Sequence, residues 1–129
     1  MSAVIEAVST PKAPAALGAY SQAVKANGFV FVSGQLGIDP ETGALHGEDA
    51  ASQASQALRN IAHILEEAGT DMAHVVRATI YLKNVDDFSQ VDAQYAAVFA
   101  SGVKPARVAF GGNEIPKGAL VEIDAIAAL

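Results

Sequence analysis

The sequence predicts an α+β fold, a mixed β-sheet with two helices packed on one of its faces. Apolar and polar residues alternate over 75–83 and 120–126, which is the period of a strand whose two faces differ. Apolar residues recur at spacings of three and four over 49–68 and 88–99, which is the period of an amphipathic helix. Because two helices on one side leave the second sheet face without a helix, we expect that face to meet solvent or another subunit. We favour another subunit, because the apolar residues Leu120 and Ile126 lie on this face.

The elements follow in the order three strands, helix, strand, helix and two strands. Val4 to Val8 predicts a short first strand, and Asn27-Gly28 is a strong turn signal between strands over 20–25 and 29–33. Gly69 is a natural stop for the first helix. We expect residues 1–129 to form one domain, since the chain has the length of one domain and no linker or low-complexity tract.

Each helix has a recognisable apolar face. The predicted stripe of the first helix is Ala54, Ala57, Leu58, Ile61, Leu65 and Ala68, and that of the second is Phe88, Val91, Tyr95 and Phe99. Polar side chains of the first helix are expected on its other side, namely Gln53, Gln56, Asn60, His63 and Glu67. Glu48 and Asp49 suit the start of the first helix, and Asp86 or Asp87 can cap the second.

The segment 105–126 holds the clearest candidates for chemistry. Arg107 opens one predicted strand, and turn residues over 113–118 connect it to a second strand. Alternation places Glu122 and Asp124 on the same sheet face, with Leu120 and Ile126. We expect Arg107 on the strand beside these carboxylates. An ordinary surface ion pair between Arg107 and Glu122 explains the pattern equally well.

Composition excludes several classes of function. The chain has no cysteine, so disulfide and thiolate chemistry are excluded, and its net charge of −6 argues against a nucleic-acid surface. No basic leader with an apolar run and no stretch of eighteen apolar residues is present, so we expect a cytoplasmic protein that does not contact a membrane. The three histidines lack metal-ligand spacing, and no GxGxxG or Walker sequence occurs.

Taken together, the motifs resemble those of the RidA/YjgF family in order and spacing. The resemblance covers nearly the whole chain. It is carried by GAYSQA at 18–23, VSGQ at 32–35, QALRNI at 56–61 with EAG at 67–69, ATIYLKNVDDF at 78–88, PAR at 105–107 and LVEIDAIA at 120–127.

This resemblance implies a chorismate-mutase-like protomer in a homotrimer with sites between subunits. It also implies hydrolysis of reactive 2-imino and 2-enamino acids to 2-oxo acids and ammonia, without a cofactor. Arg107 is then expected to bind the substrate carboxylate and Glu122 to move protons for the attacking water. The other expected substrate-binding residues are Tyr20, Ser33, Asp92 and Ala109, the last through its backbone carbonyl.

The sequence departs from the family pattern near this expected site. Asp92 stands where the family often has Asn, Val108 and Ala109 replace small polar residues, and Ala19 and Gly37 replace prolines. Substrate identity is therefore open. A non-catalytic binder of small carboxylates is the alternative, and endoribonuclease activity is the least favoured because no basic tract is present.

Overall fold

A computed structural model describes residues 4–129, which form a six-stranded sheet and two α-helices. The helices are α1 (Ala50–Ala68) and α2 (Phe88–Val98). The strands are β1 (Glu6–Val8), β2 (Ala23–Ala26), β3 (Phe29–Leu36), β4 (Val75–Leu82), β5 (Ala106–Phe110) and β6 (Val121–Ala128). The predicted α+β class and the order of the elements are confirmed.

The sheet is mixed, with the strand order β1-β2-β3-β6-β4-β5. Only β4 and β5 pair in parallel, and the remaining neighbours pair antiparallel. The C-terminal strand β6 is therefore central, and β5 is the last strand at one end. Asn27 and Gly28 both have positive φ in the β2–β3 turn, as the Asn-Gly signal predicted.

The prediction that the Arg107 strand lies beside the Glu122 strand is wrong, because β4 separates β5 from β6. The connection over 111–120 crosses the end of β4 instead of forming a hairpin. Its backbone is bonded there: the N–H of Gly112 donates to the Lys83 carbonyl, and the N–H of Lys83 donates to the Leu120 carbonyl. The Asn113 side chain also donates to the Leu82 carbonyl at 2.9 Å.

Helix α1 packs on β3 and β6, and α2 packs against α1. The Asp49 carboxylate accepts the Ser52 N–H at 2.7 Å, which caps α1 as predicted, and Gly69 ends the helix at φ 94°. Asp87 lies at the N-cap position of α2, but its side chain makes no capping bond. The Asp49 bond therefore fixes where α1 begins, and Gly69 fixes where it ends.

The polar side of α1 is only partly as predicted, because Gln53, Gln56 and Asn60 are buried. Helical spacing alone places these amides outside the apolar stripe. Chain segments outside the helix cover them. Asn60 and Gln53 hydrogen-bond to these segments, and Gln56 hydrogen-bonds to Asn60. The covering segments come from distant parts of the sequence, so periodicity within the helix does not reveal them.

The second face of the sheet carries no helix in the described part of the chain. Phe29 and Phe31 on β3 remain 40% and 44% exposed, and Phe110 on β5 is 44% exposed. This agrees with the predicted open face; a covering subunit stays a prediction. Across residues 4–129, no helix has both the length and the apolar character needed to cross a membrane.

Candidate active site

A cavity of about 570 Å³ lies where β3 and β6 meet the loops around residues 14–20, 36–43 and 116–117. Three predicted site residues, Tyr20, Ser33 and Glu122, line it. Apolar residues form much of the remaining wall, among them Pro14, Leu17, Leu36, Ile38, Pro40 and Pro116. A largely apolar cavity with a few converging polar groups is typical of a small-molecule site.

Tyr20 reaches the cavity from a loop, and Ser33 reaches it from a strand. The predicted strand over 20–25 is shorter than expected, since β2 begins at Ala23 and Tyr20 lies in the preceding loop, 56% exposed. Ser33 lies on β3, where the pairing with β6 shifts register between Val32 and Gln35. Its hydroxyl donates to the Ser21 carbonyl at 2.6 Å, so its oxygen is held in one place.

Glu122 extends from β6 towards this irregular part of β3. A Cβ atom at Gly34 would come within 2.7 Å of Glu122 Oε2, so the absence of a side chain at position 34 makes room for the carboxylate. Burial raises the pKa of Glu122 above its usual range, and the nearby Asp124 carboxylate adds to the rise. A carboxyl group whose pKa is raised in this way suits a role in proton transfer.

Asp124 is the other carboxylate predicted on this face, and it is fixed by two hydrogen bonds. Its Oδ1 accepts the backbone N–H of Thr79 at 3.1 Å, and its Oδ2 accepts the Tyr81 hydroxyl at 2.9 Å. Burial, followed by this bond to Asp124, raises the pKa of Tyr81 above 10.0, so the phenol keeps its proton. These two bonds therefore hold the Asp124 side chain in place beside Glu122.

Arg107 lies in a separate cluster between β5 and α2. Its Nη1 donates to Asp92 Oδ1 at 2.6 Å. The guanidinium carbon lies 5.2 Å from the Phe88 ring centroid and 4.9 Å from the Tyr95 ring centroid. These distances are those of cation–π contacts, so two rings and one carboxylate orient the guanidinium. The Arg107 side chain remains 27% exposed and the Asp92 side chain 41% exposed.

The structure brings the predicted site residues together in two groups and not in one. In the sheet register, Glu122 of β6 lies opposite Tyr81 of β4, and both side chains are on the open face. Arg107 of β5 lies opposite Ala78 of β4, whose side chain is buried on the helix side. Ala109 shares β5 with Arg107. The proposed surface pair of Arg107 with Glu122 is therefore wrong within one chain, because the two residues lie on opposite faces and two strands apart.

Three buried amides hold the segments that line the cavity or that directly follow them. Gln22 bonds to the backbone at Thr10, Ala13 and Pro14. Asn60 donates to the carbonyls of Leu36 and Ile38, at 3.2 and 2.9 Å, and Gln53 accepts the Leu120 N–H at 2.8 Å. These bonds fix loops that would otherwise have unpaired backbone groups.

Sequence reasoning missed Gly34, Lys117 and the aromatic contacts around Arg107. Lys117 lines the cavity with a positive φ of 62°, which no sequence pattern indicated. Phe88, Asp92 and Tyr95 follow a spacing of four and three, so their common helix face could have indicated the Arg107 cluster. Within residues 4–129, no three His, Asp or Glu side chains are grouped in a way that could hold a metal ion.

Comparison with known proteins identifies the class to which this fold belongs. A family model described as endoribonuclease L-PSP matches residues 10–129. The 2-iminobutanoate/2-iminopropanoate deaminase of Bos taurus is 48% identical over 126 residues, which cover 98% of this chain and 91% of the bovine protein. The chain therefore belongs to the RidA/YjgF family, whose model carries the L-PSP description.

Solved structures agree with this assignment. A Yersinia pestis protein of the Rid family, YyfA, is 41% identical with a TM-score of 0.95, covering 98% of this chain and 100% of that protein's chain. Escherichia coli TdcF with bound serine is 30% identical with a TM-score of 0.91, covering 96% of this chain and 98% of that one.

Proposed function

We propose that this protein hydrolyses 2-imino acids, and their 2-enamino tautomers, to 2-oxo acids and ammonia. The observation that carries the proposal is the Glu122 carboxylate, held in a largely apolar cavity with a raised pKa. The names of mammalian relatives at 46 to 48% identity, 2-iminobutanoate/2-iminopropanoate deaminase, support the reaction class.

The reaction requires attack of water on one carbon and proton transfers at the water oxygen and at the nitrogen. A water oxygen attacks the iminium carbon while Glu122 accepts a proton from that water, which gives a carbinolamine. Glu122 then returns the proton to the nitrogen and the C–N bond breaks. Ammonia leaves as the carbonyl forms and the hydroxyl proton passes to the Glu122 carboxylate. An iminium carbon is already electrophilic, so positioning and proton transfer are the protein's contribution.

Arg107 is the proposed receptor for the substrate carboxylate. A guanidinium has five N–H donors in a rigid plane, and within residues 4–129 only the bond from Nη1 to Asp92 occupies one of them. The Phe88 and Tyr95 rings fix that plane, so the remaining donors are preorganised for a carboxylate. Backbone at Ala109, on the same end strand, can contact the bound substrate or water.

A homotrimer with sites between subunits is part of this proposal. Within one chain, Arg107 and Glu122 lie on opposite sheet faces, so one chain does not present both to a single small substrate. The open sheet face, with Phe29, Phe31 and Phe110 partly exposed, supports contact with another subunit. In the proposed trimer, Arg107 on the end strand β5 of one subunit would meet Tyr20, Ser33 and Glu122 of the next subunit.

Imine hydrolysis coupled to an amino-acid dehydratase tests the proposal. We expect wild-type protein to accelerate loss of the imine, and Glu122→Gln to lower the rate by about 10²–10⁴-fold because an amide cannot exchange protons. Glu67→Gln, the same change on an exposed part of α1, is the matched control. Unchanged turnover in Glu122→Gln would contradict the assigned role, and no acceleration by wild-type protein would favour a carboxylate-binding module.

The same preparation should be tested on single-stranded RNA, because the family description names an endoribonuclease. We expect no cleavage, since the chain has 14 acidic residues against 8 lysines and arginines. Cleavage that disappears in Arg107→Ala, with the assembly intact, would overturn the proposed reaction class.

A further inference from the structure

The Arg107 cluster contains a negative charge as well as a positive one. Asp92 Oδ1 lies 2.6 Å from Arg107 Nη1, and both side chains remain partly exposed, at 41% and 27%. A site meant only for an anion would be expected to keep its cation unpaired, because a neighbouring carboxylate repels the ligand. The pair instead presents N–H donors and a carboxylate side by side, with no net charge.

Such a pair is complementary to a zwitterion. A protonated 2-imino acid carries its carboxylate and its iminium nitrogen on adjacent carbons, so the two groups can face Arg107 and Asp92 at the same time. The carboxylate accepts from the guanidinium, and the iminium N–H donates to the Asp92 carboxylate. The 2-oxo acid product has a carbonyl oxygen where the nitrogen was, and this acceptor would face the acceptor oxygens of Asp92.

We propose that Asp92 is a specificity-determining residue that makes the Arg107 site prefer zwitterionic 2-iminium acids over anionic 2-oxo acids. This inference rests on the proposed function for its choice of substrate. Asp92 then acts in both directions: it attracts the cationic nitrogen of the substrate and weakens binding of the product once that nitrogen has left. The unfavourable contact with the product is as important as the favourable one with the substrate.

The preference for a zwitterion depends on Arg107 and Asp92 staying side by side, and the cluster holds both groups in place. Stacking on Phe88 and Tyr95 limits rotation of the guanidinium, and Asp92 is held by the Arg107 bond on one face of α2. Arg107 therefore cannot turn away from Asp92 without losing its aromatic contacts. A ligand carboxylate has to bind beside the Asp92 charge.

Equilibrium binding of two stable ligands tests the inference without turnover. The ligands are 2-oxobutanoate, an anion, and L-2-aminobutanoate, which carries a carboxylate and a cationic nitrogen on adjacent carbons. In Asp92→Asn we expect the dissociation constant of 2-oxobutanoate to fall roughly tenfold and that of L-2-aminobutanoate to rise by a similar factor. Product inhibition by 2-oxobutanoate should strengthen in parallel.

Asp86→Asn is the matched control, because Asp86 is exposed in the turn before α2 and the change in net charge is the same. We expect this variant to leave both affinities unchanged. Asp92→Ser is the second variant; it removes the charge with a smaller side chain and should shift both affinities in the same directions. Circular dichroism and molecular mass establish that each variant is folded.

The inference is overturned if 2-oxobutanoate binds Asp92→Asn no better than wild type, or if neither ligand binds either protein. It is also overturned if Asp86→Asn produces the same shifts, since the effect would then be one of total charge. A failure of the proposed function would give a different result from a failure of this inference. Wild-type protein would then not hydrolyse imines, while the reversal of ligand preference at Asp92 would still be measured.

Discussion

Gly34 lies against the carboxylate of Glu122, so close that a Cβ atom at position 34 would stand 2.7 Å from Oε2 and 2.9 Å from Cδ. The contact occurs where β3 shifts register against β6. The irregular part of β3 and the missing side chain at Gly34 thus leave the space that the Glu122 carboxylate fills. The position of the proposed proton-transfer group depends on a residue that has no side chain of its own.

We expect Gly34→Ala to leave the fold intact and to lower imine hydrolysis by about 10²-fold or more, because the methyl group displaces the proposed acid/base group. The atoms it would meet are at the end of a flexible side chain, so the backbone need not move. Thermal unfolding and coupled turnover measure the two effects. In a Glu122→Gln background the same substitution should have little further effect; a full additional loss would show that Gly34 acts independently of Glu122.

Gly37 provides a contrasting case on the same strand–loop junction. A Cβ atom there would overlap the backbone carbonyl of Gln53 in α1, which cannot swing aside. We expect Gly37→Ala to lower the free energy of unfolding by about 1–3 kcal/mol, the usual cost of overpacking a filled interior. Chemical denaturation measures this change. A Gly37→Ala protein as stable as wild type would show that α1 and the loop can separate at little cost.

The raised pKa of Glu122 predicts a pH dependence of stability. The folded protein holds this proton more tightly than the unfolded chain, whose glutamate has an ordinary pKa of 4.5. Stability from this group is therefore present below about pH 4.5 and is lost as the pH rises towards the raised pKa. Asp124 and Tyr81 face the same region, but Tyr81 stays protonated over this range.

Denaturation curves of wild type and Glu122→Gln between pH 4 and 8 test this expectation. The stability difference between the variant and wild type should grow in favour of the variant as the pH rises, because the amide has no proton to lose. Glu67→Gln, on the exposed side of α1, should show no such trend. Parallel curves for wild type and Glu122→Gln would mean that Glu122 titrates normally.

Most of the fold could be predicted because each element carries its own local signal. The Asn27-Gly28 turn, the Asp49 cap and the alternation of 121–126 all depend on residues close together in the sequence. The position of Arg107 could not be predicted in this way. Nothing within 105–126 indicates that β4 lies between the two strands, because strand pairing is decided by contacts with distant segments.

The candidate site shows the same division. Motifs in the sequence indicate Arg107 and Glu122, and the structure gives each a distinctive environment. Their separation onto two faces follows from the sheet register, which the motifs do not contain. The burial of Asn60 likewise depends on a loop more than twenty residues away in sequence. Periodicity predicts that a helix forms and which of its faces is apolar. It does not show which segments cover the helix, because that depends on the topology of the whole chain.

Asn60 illustrates how much such a buried amide contributes. It is fully buried, donates to the carbonyls of Leu36 and Ile38, and accepts a bond from Gln56 at 2.8 Å. Asn60→Ala leaves these groups without partners, so we expect a loss of about 1–3 kcal/mol in the free energy of unfolding. Gln90→Ala, an exposed amide on α2, should change it by less than about 0.5 kcal/mol. Equal effects in chemical denaturation would contradict this assignment.

Two inactive variants can test whether a site is shared between subunits. If a site takes Arg107 from one subunit and Glu122 from another, then Arg107→Ala and Glu122→Gln each remove one half of every site. A mixed trimer contains some interfaces in which the intact arginine meets the intact glutamate. For equal amounts of the two chains mixed at random, about a quarter of the interfaces pair two intact residues.

We therefore expect imine hydrolysis to return to about a quarter of the wild-type rate when the two variants are unfolded and refolded together, or produced together. Mixing the folded trimers without exchange of subunits is the control, and it should restore nothing. Sedimentation equilibrium measures the assembly in each sample. If both residues act within one chain, every chain carries one defect and no mixture regains activity. Inactive mixed trimers of the expected mass would thus contradict a shared site, and a monomer at micromolar concentration would contradict the assembly itself.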